Sequence, residues 1–221
     1  MTADVSKLEP PASGQIIPKS VGYYFVESRD KIVETAGGGG DKVKYSPYKD
    51  IEGGFFKILS NTFKSAISIT SEKDSVIGKS DLGYIMAVEV STNSSSPSLF
   101  TWPPTVFGIN LTANISDVTG KPVTRLLVFG EGRGEFDEFK GNHSLAANRA
   151  SIDVLKKMQT ALLNTPELRS NASVSLTKTG NDAPLLPLSK EVQLKDLKRL
   201  FDSGLITNEI YVERQKSILG G

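Results

Sequence analysis

VFGINLTANISDVTGKPVTRLLVFGEGRGE, residues 106–135, decides how this chain folds. Residues 106–118 alternate so that Phe107, Ile109, Leu111, Ala113 and Ile115 fall on one side of an extended strand, the pattern of a half-buried antiparallel strand. Asp117-Val118-Thr119-Gly120-Lys121-Pro122 is rich in turn residues, and residues 123–135 then return as the hairpin partner. The apolar centre of that partner, Leu126-Leu127-Val128-Phe129, gives way to Gly130-Glu131-Gly132-Arg133-Gly134-Glu135-Phe136. Three glycines within a strand pattern predict a bulge or a strong local twist there.

Outward from the hairpin, the other elements follow from period and composition. Val21-Gly22-Tyr23-Tyr24-Phe25-Val26 is aromatic and β-branched and reads as a buried strand. ETAGGGGDKVKYSPYKD, residues 34–50, reads as a Gly-rich connection. A helix is predicted over residues 51–66, with Phe55, Ile58, Leu59, Thr62, Phe63 and Ala66 on one side, and a short strand over Ile67-Ser68-Ile69. Residues 84–90 form a further strand, and residues 144–163 a long helix whose buried stripe is Ile152, Leu155, Met158 and Leu162. Helices free to cover one face of a mixed sheet define a two-layer α/β (α+β) domain.

The ends of the chain are different in character. Residues 1–15 are polar and Pro-containing, without period, and read as a flexible tether to a core over 16–165. Residues 166–190, interrupted by Gly180, Pro184 and Pro187, read as a linker. Residues 191–221, EVQLKDLKRLFDSGLITNEIYVERQKSILGG, have the layout of a short helical hairpin. Leu194, Leu197, Leu200 and Phe201 recur at helical spacing, Asp202-Ser203-Gly204 breaks the run, and Thr207 stands where a second helix needs an N-cap. Leu205, Ile206, Ile210, Tyr211 and Ile218 continue the apolar surface. Two helices this short bury too little alone, so Leu194, Leu197, Phe201, Leu205, Ile206, Tyr211 and Ile218 are candidate assembly residues, contacting other copies or a partner.

Composition narrows the function classes. The 221 residues include 26 basic and 25 acidic side chains, a formal net charge of +1, without the basic excess of a nucleic-acid binder. With no cysteine and one histidine, His143, the chain has no material for a disulfide framework, a Cys/His zinc site or a cysteine nucleophile. The reading is therefore non-enzymatic, with no cofactor and no metal. No apolar run reaches the length of a membrane span, and no signal-peptide core is present.

Four local features invite a functional reading. Gly37 to Gly40 continue into Asp41-Lys42-Val43, not the Gly-Lys-Ser/Thr step into a helix that a phosphate loop needs, so the run reads as a loop. Glu131, Arg133 and Glu135 alternate toward one side, near His143, and are candidates for ligand binding; the plainer reading is a solvated, cross-linked set of charges. Phe100 and Trp102, beside Pro103-Pro104, are candidates for partner contact, because rigid aromatics favour interfaces. Five Asn-x-Ser/Thr triplets, at Asn93, Asn110, Asn114, Asn142 and Asn171, are expected by chance in a chain of this composition.

Two resemblances add to this. The Leu-x-x-Leu repeat, Phe201, Gly204-Leu205-Ile206-Thr207, Glu209, Tyr211, Lys216 and Leu219 make the C-terminal segment resemble the SHOCT (short C-terminal) domain, with Ile210 departing from its usual acidic residue. That resemblance implies oligomerisation or partner contact. Residues 21–26 with Gly38-Gly39-Gly40-Asp41-Lys42, the 117–122 hairpin with Gly130-Glu131-Gly132, and the helix bearing Ala146, Ala147, Ala150 and Leu155 resemble bacterial outer-membrane-associated lipoproteins. Their cores are similar to the N-terminal domain of TolB and the curli-secretion lipoprotein. This second resemblance implies a periplasmic protein held at the outer membrane by a lipid on a cysteine that this sequence lacks; the alternative location is cytoplasmic. The expected partner is another copy or an envelope protein. The alternative function is a module that binds a small molecule or envelope component through the Gly-rich loop and the Arg133 region.

Overall fold

A computed structural model describes residues 2–12, 15–36, 42–95, 106–139, 142, 144–169 and 215. By contacts the chain divides into Met1–Asn171 and Ala172–Gly221, and only the first unit is described element by element. The candidate assembly residues from Leu194 to Ile218, the candidate contacts Phe100 and Trp102, the Gly37–Gly40 run and His143 all lie outside the described residues.

The first unit is the expected two-layer α+β domain. Its strands are β1 (Ile17–Phe25), β2 (Val33–Ala36), β3 (Lys42–Tyr45), β4 (Phe63–Ser68), β5 (Leu82–Ser95), β6 (Val106–Asp117) and β7 (Pro122–Arg133). Its helices are α1 (Pro47–Thr62), α2 (Phe136–Phe139), α3 (Leu145–Leu163) and α4 (Pro166–Arg169). Five strands form one mixed sheet in the order β4-β1-β5-β6-β7. β1 runs parallel to both β4 and β5, whereas β5, β6 and β7 form an antiparallel meander. The Gly-rich connection is flanked by the separate β2–β3 pair, with Thr35 opposite Val43, where the sequence reading expected no strands. Short polar runs on either side of four glycines carry no period to betray a hairpin.

The alternation read from the hairpin holds. Phe107, Ile109, Leu111, Ala113 and Ile115 are all buried, and they join Val21, Met86, Val88, Phe55, Ile58, Leu155 and Met158 in a single core. Both long helices lie over that side of the sheet. α1 starts at Pro47, where a fixed φ and a missing N–H cost nothing in the first turn. It stops at Thr62, four residues earlier than predicted, because Phe63 turns extended and pairs with Ile17 of β1. Phe63 satisfies both periods, being four residues after Leu59 and buried in either conformation. Strand pairing decides between them.

The glycines of β7 have a different role from the one expected. No register shift occurs at Gly130 or Gly132; the irregularity in this pair lies between Ile115 and Ser116. Gly130 and Gly132 stand opposite Ile109 and Phe107, directly beneath α3. A Cβ on Gly132 would lie 2.0 Å from the Ala146 carbonyl oxygen, and one on Gly130 would lie 2.5 Å from the Val154 backbone nitrogen. They are glycines because helix backbone rests on strand backbone.

α3 also closes off part of the sheet edge that β7 forms. Lys157 Nζ donates to the Phe129 carbonyl at 3.0 Å, Arg149 Nη1 donates to the Arg133 carbonyl at 2.7 Å, and the Glu131 N–H donates to Asp153 Oδ2 at 3.0 Å. An edge whose backbone groups are already occupied is a poor template for another strand.

Both ends of the core differ from expectation. The stretch read as a flexible tether packs against the helices: Ala3 and Leu8 are buried, Asn61 Nδ2 donates to the Leu8 carbonyl at 3.2 Å, and Gln159 Nε2 donates to the Glu9 carbonyl at 2.9 Å. Lone Ala and Leu residues in a polar run give no periodic signal, yet each fills a gap between α1 and α3. The stretch read as a linker from residue 166 begins instead with α4, whose Leu168 is fully buried and accepts a hydrogen bond from the Tyr84 hydroxyl at 3.2 Å.

The contact between α3 and β7 is testable by urea unfolding. Gly132→Ala is expected to lower stability by about 3 kcal/mol, because neither backbone can yield 1 Å without moving the core. Gly53→Ala, in α1 with nothing within 4 Å of the added Cβ, is expected to raise it by about 0.5–1 kcal/mol. A Gly132→Ala protein as stable as the wild type would contradict the close approach.

Candidate functional site

With both long helices on one side, the opposite side of the sheet carries no helix among the described residues. Strand register sets what that side displays. Tyr24, Ala87, Asn114 and Arg125 form one row across β1, β5, β6 and β7, and Ile85, Ser116 and Pro122 form the row beside it. Ala87 is the small member of its row, so the sheet surface is hollow there.

Two loops raise walls along this hollow. One is the connection between β4 and β5, represented by Glu72 and Lys73; the other is the β6–β7 turn with Val118, Thr119 and Gly120. Together they bound a groove of about 780 Å³. Its floor is Tyr24, Ile85 and Ala87, and Val123, Thr124 and Arg125 continue the second wall. A smaller recess of about 370 Å³ lies further along the strands, beside Glu89, Ser91, Asn110 and Thr112.

Each wall is organised by one aspartate. Asp74 accepts from the Thr70 N–H at 2.8 Å, the Thr70 hydroxyl at 2.7 Å and the Val76 N–H at 2.9 Å. Asp117 accepts from the Thr119 hydroxyl at 2.6 Å, the Thr119 N–H at 2.8 Å and the Lys121 N–H at 3.1 Å. Gly120, at φ +87°, closes the second turn in the left-handed region that favours glycine. Hydrogen bonding holds both carboxyls below the usual carboxylate range, led by the Val76 N–H for Asp74 and the Thr119 hydroxyl for Asp117. The walls are pre-formed, which keeps the groove open without a ligand. On the floor, burial pushes the Tyr24 phenol up, with the Glu72 charge adding to the effect, so the hydroxyl stays protonated at neutral pH.

The candidate ligand-binding residues of the sequence reading lie elsewhere. Glu131 and Arg133 end β7 and pair with each other at 2.8 Å, the arginine side chain 72% exposed. Glu135 lies beyond the strand, and its N–H donates to Glu138 Oε2 at 3.0 Å. Arg149 grips both Glu138 oxygens, at 2.9 and 2.8 Å, and with the Glu135 N–H holds that carboxyl down to about 2. This corner is an exposed, internally paired charge set, and none of its residues lines the groove. Among the described residues no group of three His, Cys, Asp or Glu side chains is placed to hold a metal ion. The groove residues Tyr24, Lys73, Ala87 and Arg125 were not singled out in the sequence; the alternation of β1, β5 and β7 places Tyr24, Ala87 and Arg125 on one face, but not the loop that carries Lys73.

No family model matches the sequence, and no curated protein matches it. The resemblances to TolB-type, curli-secretion and SHOCT modules therefore rest on the residues quoted for them. Among solved structures, a protein from Xanthomonas campestris with the family model DUF330 is similar over 70% of this chain and 87% of its own, at 13% identity and a TM-score of 0.45. A minor lipoprotein from Acinetobacter baumannii is similar over 67% of this chain and 94% of its own, at 9% identity and a TM-score of 0.41. Likeness at this level bears on neither the site nor the function.

The aspartate-centred turns set a pH dependence. A carboxyl whose folded pKa is depressed stabilises its turn fully above its unfolded pKa, and that contribution is lost as pH falls through the folded pKa. Amide protection at Val76, Thr119 and Lys121, corrected for intrinsic exchange, is therefore expected to be flat across neutral pH and to fall only below the usual carboxylate range. Asp117→Ala is expected to remove protection at Thr119 and Lys121 already at neutral pH while leaving Val76 unchanged. Unchanged protection at Thr119 would contradict the account of the wall.

Proposed function

We propose that this chain is a non-enzymatic binding scaffold of the bacterial envelope. Its helix-free sheet face is the contact surface, and its C-terminal hairpin gathers the copies. The observation that carries the reading is the one-sided placement of the helices. It leaves a pre-formed groove, together with Leu127 at 65% and Phe129 at 48% exposure, on a face that no helix among the described residues covers. Contiguous apolar exposure rimmed by polar side chains is the usual mark of an interaction surface.

The residues quoted above for the two resemblances support a periplasmic lipoprotein, anchored at the outer membrane by a lipid. They also support assembly through Leu194, Leu197, Phe201, Leu205, Ile206, Tyr211 and Ile218, with Phe100 and Trp102 as a second contact. Linked copies would raise the local concentration of individually weak surfaces and make them act together. Asn61 and Gln159 hold the residues around Leu8 and Glu9 on the helices, so reach from an anchor cannot come from that stretch.

Light-scattering mass separates the two devices. The full chain is expected to be a multiple of the monomer, and a version ending at Leu188 to be monomeric. Leu197→Asp and Phe201→Asp are each expected to break the assembly with the core still folded. The double variant Leu127→Asp/Phe129→Asp is expected to keep the wild-type mass, because the sheet face is not used for self-association. A monomeric full chain would contradict the hairpin's role, and a double variant of reduced mass would contradict a free sheet face.

A further inference from the structure

The groove on the helix-free face has a chemistry that selects among ligands. Its floor belongs to β5, a strand bonded on both sides, to β1 and to β6. The backbone groups of Ile85 and Ala87 are therefore committed to the sheet ladder, and an extended peptide has no main chain there to pair with. What the floor offers is side chain: the apolar surfaces of Ile85 and Ala87, flanked by Val118 and Val123, and the phenol of Tyr24. About 780 Å³ is within the range of small-molecule sites, ~300–1,000 Å³.

The charges on the walls are unequal. Lys73 on one wall and Arg125 on the other have no ion-pair partner among the described residues, whereas pairs such as Arg149–Glu138 and Lys157–Asp153 form elsewhere among them. The acids near them are differently placed. Asp74 and Asp117 each accept three hydrogen bonds from their own turns. Glu72 lines the groove beside Lys73 and acts on Tyr24, where its charge helps to keep the phenol protonated as a donor. The groove thus presents two cations without an ion-pair partner, the single carboxylate of Glu72 and one hydroxyl donor around an apolar floor, an excess of positive charge.

We propose that this groove binds an amphipathic organic anion. An apolar chain lies over Ile85 and Ala87, and a carboxylate sits between the Lys73 ammonium and the Arg125 guanidinium. The proposal rests on the free sheet face inferred above and names what that face takes. Arg125 supplies a planar donor fork and Lys73 a point charge, so a carboxylate gains charge-assisted hydrogen bonds that a neutral or cationic head cannot make.

The test is calorimetric titration of the full chain with sodium dodecanoate below its micelle concentration, beside dodecyltrimethylammonium of equal chain length and acetate. Saturable binding of one dodecanoate per chain is expected, about tenfold or more tighter than the cationic amphiphile, with acetate too weak to detect. Lys73→Gln/Arg125→Gln is expected to erase that preference, and Ala87→Trp, which fills the hollow, to abolish binding; both variants should keep the wild-type mass and unfolding midpoint. The Gln pair lies on the surface, so it remains informative should Ala87→Trp fail to fold. Absent dodecanoate binding, equal affinity for the cation, equal affinity for acetate, or a Gln pair that binds like the wild type would each overturn the proposal. Failure here with the wild-type mass kept by Leu127→Asp/Phe129→Asp would remove the ligand class alone. A reduced mass in that double variant would remove the free face beneath it.

Discussion

Everything in this domain is organised by the place where α3 lies on β7. At Gly130 and Gly132 the helix backbone comes so near that a side chain of any size would enter it, the Ala146 carbonyl standing 2.0 Å from a Cβ built on Gly132. That contact seats α3 over β6 and β7, where Ala150, Val154, Leu155 and Met158 meet the inward row of the sheet. α1 then occupies what is left of the same side, above β1 and β4. With one side carrying both helices, the other is left to whatever the loops and the solvent supply.

The same seating settles the fate of the sheet's long edge. Arg149, Asp153 and Lys157 reach from α3 to backbone groups of Phe129, Glu131 and Arg133. Over that part of β7 the occupied edge is protected from strand-to-strand association. There the backbone of β7 is closed to strand addition, and what the adjoining sheet face offers is side chain.

How far the sequence could be read depended on whether a residue's role was local. The alternation from Phe107 to Ile115 belongs to one strand, and it identified the buried face, the hairpin turn and the two-layer architecture. Gly130 and Gly132 were recognised as special but given the wrong cause, because a bulge is a local event and a helix resting on a strand is not. Phe63 fits a helix and a strand equally well by period, and only its pairing with Ile17 separates them. Ala3 and Leu8 are isolated apolar residues in a polar run. Their burial follows from a gap between two helices that no window of sequence contains. The groove is of the same kind. Tyr24, Lys73, Ala87 and Arg125 come from four separate segments, whereas Glu131, Arg133 and Glu135 drew attention by lying close together in the chain.

The claim on which the rest of this account stands is that the helix-free face is open in the whole protein. Hydroxyl-radical footprinting of the full chain, read by mass spectrometry, measures it directly. The account predicts strong modification of Leu127, Phe129 and Val118, with the buried Met86 and Met158 as the protected reference. Protection of Leu127, Phe129 and Val118 to the level of those methionines, with no ligand added, would mean that the face is already covered, and would contradict the account.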